Sequence, residues 1–274
     1  MEIGYLGPEG SYSHAASQIY APEAIGIGMS SFSEIFEGVE TERLDIGILP
    51  IENSTEGAVT AVMDGLLHRK KVKIIDELIY QIKHCLLSNS KTMDKIAYVL
   101  SHPQALGQCR EFFARNYPQI GLIPCESSSQ ACITAKEKGE TYGAIANKQA
   151  GEIYGLNVLN GKIQDNLFNQ TRFIMIGRKD TEITGKDKTS IVFSFQDDYP
   201  GSLYSILREF ADEDINLTRI ESRPAKAEMG KYIFYIDFCG HYKEEKVNRI
   251  LQRIEKLTSW IKILGSYPFG SLRE

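Results

Sequence analysis

A polar run at 179–188, KDTEITGKDK, divides the chain where the order of its elements changes, and that change limits the folds open to it. Upstream, segments 2–6, 45–49, 95–100, 143–146 and 172–176 read as strands, with 71–77 and 81–88 extended. Helical patterns at 13–20, 58–68, 103–116 and 127–138 lie between them. Strands interleaved with helices predict α/β layering around a largely parallel sheet. Downstream the order is different. Ile191, Phe193 and Phe195 alternate along a strand. Leu203, Ile206, Leu207 and Phe210 fall at i, i+3, i+4 and i+7, and Val247, Ile250, Leu251 and Ile254 repeat that helical stripe. With strands at 216–221, 232–238 and 261–266, the downstream order is βαββαβ, a ferredoxin-like arrangement. Residues 179–188 lack an apolar period and are expected to be a linker.

Composition narrows the class of protein. The formal charge is −5, with 24% charged and 42% hydrophobic residues, which excludes disordered and low-complexity chains. The acidic balance argues against a nucleic-acid binder. No apolar stretch approaches the roughly 18 residues that a membrane span needs. The N-terminus carries no basic, apolar signal segment, so a cytoplasmic location is expected. The five cysteines, Cys85, Cys109, Cys125, Cys132 and Cys239, are scattered with no CxxC pair, and read as buried apolar residues in a reducing compartment. No metal site is expected. Neither GxGxxG nor a P-loop is present, so no nucleotide cofactor is expected.

The chemistry sits in loops that share one grammar: a strand ends, small or hydroxylated residues follow, and a helix begins. These loops are GPEGSYS at 7–13, PIENSTEG at 50–57, SHPQ at 101–104 and CESSSQ at 125–130. Helix N-termini offer free N–H donors and the positive end of the dipole. Several of them around one cleft would hold an anion without net positive charge. Serine and asparagine also favour such positions as simple caps. A fifth segment, Asn169-Gln170-Thr171-Arg172-Phe173, opens an apolar strand, and Arg172 could fork onto a carboxylate or form an ordinary ion pair.

The ordered set GYLGPEGSYSHAA, GILPIENSTEG, SHPQALGQC, ESSSQA and NQTRF resembles the prephenate dehydratase family over nearly the whole chain. Residues 200–224, PGSLYSILREFADEDINLTRIESRP, resemble an ACT domain, a small module that binds amino acids. The resemblance implies a catalytic part at 1–178 built as two subdomains like a periplasmic binding protein. One subdomain would hold 1–78 with 163–178 and the other 80–160, with crossings near 79–83 and 159–164 and a cleft between them. An ACT domain at 189–268 would follow.

The implied reaction converts prephenate to phenylpyruvate, carbon dioxide and water, with no cofactor or metal. The implied catalytic residues are Thr171, Asn53, Ser101 and Gln108. Thr171 would act as the hydrogen-bond donor to the departing hydroxide. Ser11, Ser54, Thr55, Glu126, Arg172 and Phe173 are implied substrate contacts. Arg172 ranks below Thr171, because side chains alternate along a strand. In the ACT part, Gly201, Ser202, Leu203, Asn216, Leu217, Glu221, Ser222, Arg223 and Pro224 would hold L-phenylalanine as effector. Ser202 stands where the family often has alanine. A homodimer or homotetramer is implied, with neither nucleic acid nor membrane as partner. Two rival classes remain: a non-catalytic amino-acid sensor, which would not need the NQTRF and SHPQALGQC loops, and a solute-binding protein, against which the lack of a signal segment and the ACT-like part argue.

Overall fold

The computed structural model describes residues 1–195, 199–225 and 231–273. The chain opens with β1 (Glu2–Leu6), α1 (Tyr12–Tyr20), β2 (Ile25–Met29), α2 (Phe32–Glu40), β3 (Ile46–Asn53), β4 (Gly57–Ala58), α3 (Thr60–His68) and β5 (Lys73–Gln81). It crosses at 82–84 to β6 (Cys85–Ser88), a 3-10 turn at Met93–Lys95, β7 (Tyr98–Ser101), α4 (Pro103–Gly107), α5 (Arg110–Asn116), β8 (Gly121–Pro124), α6 (Ser128–Lys138), β9 (Tyr142–Ala146), α7 (Lys148–Tyr154) and β10 (Asn157–Gly161). It returns through 162–169 to β11 (Gln170–Gly177). The C-terminal part holds β12 (Asp187–Ser194), α8 (Ser202–Ala211), β13 (Leu217–Pro224), β14 (Tyr232–Cys239), α9 (Glu245–Leu257), β15 (Trp260–Pro268) and β16 (Leu272–Arg273).

Three sheets result. The first has the order β16-β5-β11-β3-β1-β2, with β4 beside β3; the second is β10-β6-β9-β7-β8; the third is β13-β14-β12-β15. The first two are mixed rather than largely parallel. β1 pairs in parallel with β2 and β3, but β11 runs antiparallel between β3 and β5. The cause is the double crossing, which returns the chain into the first sheet from the opposite end. Likewise β6 is antiparallel to both β9 and β10, while β7 is parallel to β8 and β9.

The helix expected at 103–116 is two helices. Asp165, from the returning segment, accepts the N–H groups of Glu111 and Phe112 through its carboxylate, and its own N–H bonds the Gln108 carbonyl. This caps α5 and leaves Gln108 at the end of α4.

The central strand β12 of the third sheet is buried on both faces, more than the single apolar face its alternation predicts, while β13 at the edge alternates between half-buried and exposed. Ile191 and Phe193 join Ile206, Phe210, Val247, Ile250, Leu251 and Ile254 beneath α8 and α9. Val192, with Tyr235, Leu264 and Tyr267, joins the core formed by α2, α3 and the first sheet. The ACT-like sheet is therefore the covering layer of the first subdomain. Residues 179–188 are not wholly a linker: Asp187 and Lys188 are buried in β12. The Asp187 carboxylate accepts from Thr184 and Gly185, and Lys188 Nζ bonds both Glu77 oxygens at 2.7 and 2.9 Å. Those charges are consumed by partners and not by solvent.

Gly265 marks where the covering layer meets β5. A Cβ there would lie 2.1 Å from the Ile74 carbonyl oxygen and 2.8 Å from its nitrogen, and backbone has little freedom to yield. Gly265→Ala should destabilise by at least about 1–3 kcal/mol, seen as a lowered thermal midpoint. An unchanged midpoint would mean that β15 can slide on β5.

Candidate active site

The two crossings leave a cleft of about 500 Å³ between the first two sheets. That is within the roughly 300–1,000 Å³ of small-molecule sites. Among the described residues, its lining contains no lysine or arginine and includes Glu56 and Glu126. Positive potential instead comes from helix ends. Ser11 caps α1 by accepting the His14 N–H at 3.1 Å, and Ser127 caps α6 by accepting the Gln130 N–H at 3.0 Å. Each cap satisfies one N–H, so the first-turn amides of Tyr12 and Ser13, and of Ser128 and Ser129, remain as donors at the cleft wall.

Thr171 and Phe173 line the cleft from β11, and Arg172 between them does not. Thr171 Oγ1 accepts a hydrogen bond from Asn53 Nδ2 at 2.9 Å. Asn53 sits at the end of β3, directly opposite Thr171 in the sheet register. Its Nδ2 also faces Asn169 Oδ1 at 2.9 Å and the Gln170 carbonyl at 3.1 Å. Asn169 Nδ2 donates to Gln108 Oε1 at 2.9 Å, and Gln108 Oε1 lies 2.8 Å from His84 Nε2. His84 Nδ1 is 2.6 Å from Tyr12 Oη. Burial lowers the His84 pKa from its ordinary value, although the Gln108 contact opposes this. Burial pushes the Tyr12 phenol well above its usual value, so it remains a protonated donor.

The other expected residues divide. Ser11, Glu126 and Gln108 line the cleft. Ser101 is buried behind it, donating to the Ile145 carbonyl at 2.7 Å and paired with Ser128 at 3.1 Å, where it backs the α6 N-terminus. Ser54 staples the returning segment: its Oγ donates to the Phe168 carbonyl at 3.1 Å and accepts the Gln170 N–H at 2.9 Å. Thr55 lines a smaller depression beside the cleft, shared with Gln108 and Asn169.

Arg172, expected at the substrate, is turned to the opposite face of the sheet. It donates to Glu77 at 2.7 Å, Asp237 at 2.6 Å and Tyr267 at 2.8 Å. Although burial favours the protonated acid, the guanidinium groups of Arg172 and Arg219 hold the Asp237 carboxyl below its ordinary range. Tyr12 and Asn169 lay in the GPEGSYS and NQTRF segments but were not singled out, and His84 was missed; its signal was positional only, inside the first crossing.

The expected effector residues lie along α8 and β13. Gly201 occupies the position before α8 with φ +94°, and the Ser202 hydroxyl accepts the Tyr199 N–H at 3.0 Å. Leu203 and Leu217 pack on the ACT-like core, and the Asn216 carbonyl accepts from the Cys239 N–H at 2.9 Å. Glu221 faces Arg219 at 3.8 Å, while Ser222 and Pro224 alternate onto the exposed face of β13. Arg223, expected to hold an effector, reaches back to the catalytic part, where it bonds Asp64 at 2.7 Å and the Thr60 carbonyl at 2.9 Å.

Comparison with known proteins now decides the family. The family model described as prephenate dehydratase matches residues 3–181, and that of the ACT domain matches 189–256. The chain belongs to the prephenate dehydratase family. A prephenate dehydratase from Methanocaldococcus jannaschii is 43% identical over 96% of this chain and 97% of its own length. The crystal structure of a prephenate dehydratase from Arthrobacter aurescens in complex with L-Phe is 32% identical, covers 98% of this chain and 90% of that one, and superposes with a TM-score of 0.89. A protein described as a quorum-quenching acylase, 25% identical, covers 99% of this chain and 98% of that one at the same TM-score of 0.89. A shared fold therefore does not by itself settle the chemistry, and the cleft residues must.

Proposed function

We propose that this chain converts prephenate to phenylpyruvate, carbon dioxide and water, acting as a carbon–oxygen lyase. The observation that carries this reading is the state of Thr171. Its oxygen already accepts from Asn53, so its hydroxyl hydrogen is left to point into the cleft. A donor at that point suits a departing hydroxide. In the substrate, loss of the ring carboxylate as carbon dioxide leaves a bonding pair in the ring. That pair aromatises the ring and expels the ring hydroxyl, which takes up a proton to leave as water. Aromatisation supplies the driving force. The protein's task is to anchor two carboxylates and to stabilise the leaving oxygen as it becomes negative. The helix ends at Ser11 and Ser127 suit the first task and Thr171 suits the second. A threonine hydroxyl is a weak acid, so its part is electrostatic donation more than outright proton transfer.

L-phenylalanine is the proposed effector, at the ACT part, by analogy with the Arthrobacter complex. β13 is an edge strand of the third sheet, and an edge is where a second copy can complete a site. A homodimer or homotetramer is the assembly proposed for that reason. Arg172 ties β11 to the ACT-like sheet through Asp237, so a shift of that sheet reaches the strand bearing Thr171. The five free cysteines suit a cytoplasmic location.

The test is direct. The purified protein is incubated with prephenate, and phenylpyruvate is followed by ultraviolet absorbance, with L-arogenate and an acyl-homoserine lactone as comparison substrates. Turnover of prephenate supports the reading. Turnover of the lactone alone would sink it.

A further inference from the structure

The hydrogen bonds around Thr171 have a polarity that can be read from one end. Asn53 Oδ1 accepts the backbone N–H groups of Thr55 and Glu56 at 2.9 and 3.0 Å, which fixes the carboxamide with Nδ2 toward Asn169 and Thr171. A donor there requires Asn169 to present Oδ1 to it, and therefore Nδ2 to Gln108. Gln108 must answer with Oε1, and that same oxygen faces His84 Nε2. An amide oxygen only accepts, so Nε2 carries the imidazole hydrogen. Nδ1 is then the acceptor of the neutral ring, and the Tyr12 hydroxyl, 2.6 Å away, supplies its donor in preference to the Lys83 carbonyl at 3.2 Å. Two backbone amides at 55 and 56 thus set, through three side-chain amides, the tautomer of a histidine in the first crossing.

We propose that His84 is a positioning residue whose Nε2–H tautomer, held by Tyr12, keeps the Gln108 carboxamide oriented with Oε1 inward and Nε2 facing the ligand. Gln108 lines the cleft, and both described bonds of its amide fall on Oε1. Its Nε2 is the atom left to donate to a carboxylate or to the leaving oxygen. With the other tautomer, two acceptors would meet at 2.8 Å. Gln108 would then turn over and place a carbonyl oxygen against an anionic ligand. The members of the chain come from α1, β3, both crossings and the end of α4, so it assembles only when the two subdomains have the relative position seen here. Neutrality of His84 is supported by its burial, since the residue is 3% exposed.

The inference rests on the prephenate reading only where activity is measured, and the first test does not use activity. Long-range proton–nitrogen NMR of the full-length protein, with His84→Gln to assign the signal, should show Nε2 protonated and Nδ1 bare at neutral pH. The opposite tautomer, or an imidazolium, overturns the proposal. For kinetics, His84→Leu should lower kcat/KM roughly tenfold to a hundredfold, the cost of an unpaired buried partner. His84→Gln keeps an N–H near Nε2 and should recover most of that loss. In the Gln108→Leu background, His84→Leu should add little, because it acts through Gln108. Equal losses in the leucine and glutamine variants, or additive losses in the double variant, overturn the role. If His84→Leu fails to fold, the glutamine variant and the tautomer still decide it.

Discussion

Thr171→Val should lower kcat by about 10²–10³-fold, or about 3–4 kcal/mol, the usual cost of removing one donor aimed at developing negative charge. Valine nearly matches threonine in shape, so packing on β11 is preserved. Asn53 Nδ2 loses one acceptor but keeps Asn169 Oδ1 and the Gln170 carbonyl, so no buried donor is stranded. The thermal midpoint should therefore stay close to that of the parent. Thr171→Ser retains the hydroxyl and should keep most of the turnover. Steady-state kinetics with prephenate, beside a melt of each variant, make the check. A valine variant with near-parental kcat would remove the hydroxyl from the mechanism and leave the helix ends and Gln108 Nε2 as the donors to the substrate.

The largest expected loss of stability is at the next residue. Arg172 joins Glu77 of β5 to Asp237 of β14, with all three side chains buried. Arg172→Leu leaves Asp237 with Ser190 as its close partner and Glu77 with Lys188. Breaking a buried pair from one side costs about 3–5 kcal/mol, because an uncompensated charge stays behind. The sign of the pH dependence follows. In the parent, Asp237 is held below its ordinary value. Its contribution is present above the unfolded carboxylate value, about 3.9, and is lost as the pH falls below it. In the variant, burial is opposed by Arg219 without Arg172, which shifts Asp237 toward the protonated acid. The gap between parent and variant should therefore narrow as the pH is lowered. Denaturant melts across acidic pH measure this. A gap that stays constant, or a loss below about 1 kcal/mol, would assign the cluster a role no greater than that of a surface pair.

These two neighbours also show how much of the site was legible beforehand. Alternation along a strand separates Thr171 from Arg172 without any structure, and the caps at Ser11 and Ser127 follow from local residue preferences. The apolar stripes of α8 and α9 likewise announce the downstream module: Ile206, Phe210, Val247, Ile250, Leu251 and Ile254 are all buried. β2 was not legible, because alternating isoleucine and glycine give little apolar signal. The charges of 179–188 misled, because a charge reads as solvated until a partner such as Glu77, far away in the chain, removes it from water.

The sequence by itself determined what is periodic or local: the module order, the faces of strands and helices, the capped loops at strand ends. These depend on neighbours within a few residues, and the chain states them directly. Only the tertiary structure decided which distant polar groups meet. Tyr12, Asn53, His84, Gln108 and the Asn169–Thr171 segment lie far apart in the chain with no common period, and one hydrogen-bonded chain forms from them because two crossings bring two sheets to a common edge. The direction in which each amide points, the tautomer of His84 and the charge balance around Arg172 follow from that meeting, since a hydrogen bond depends on the partner supplied by packing.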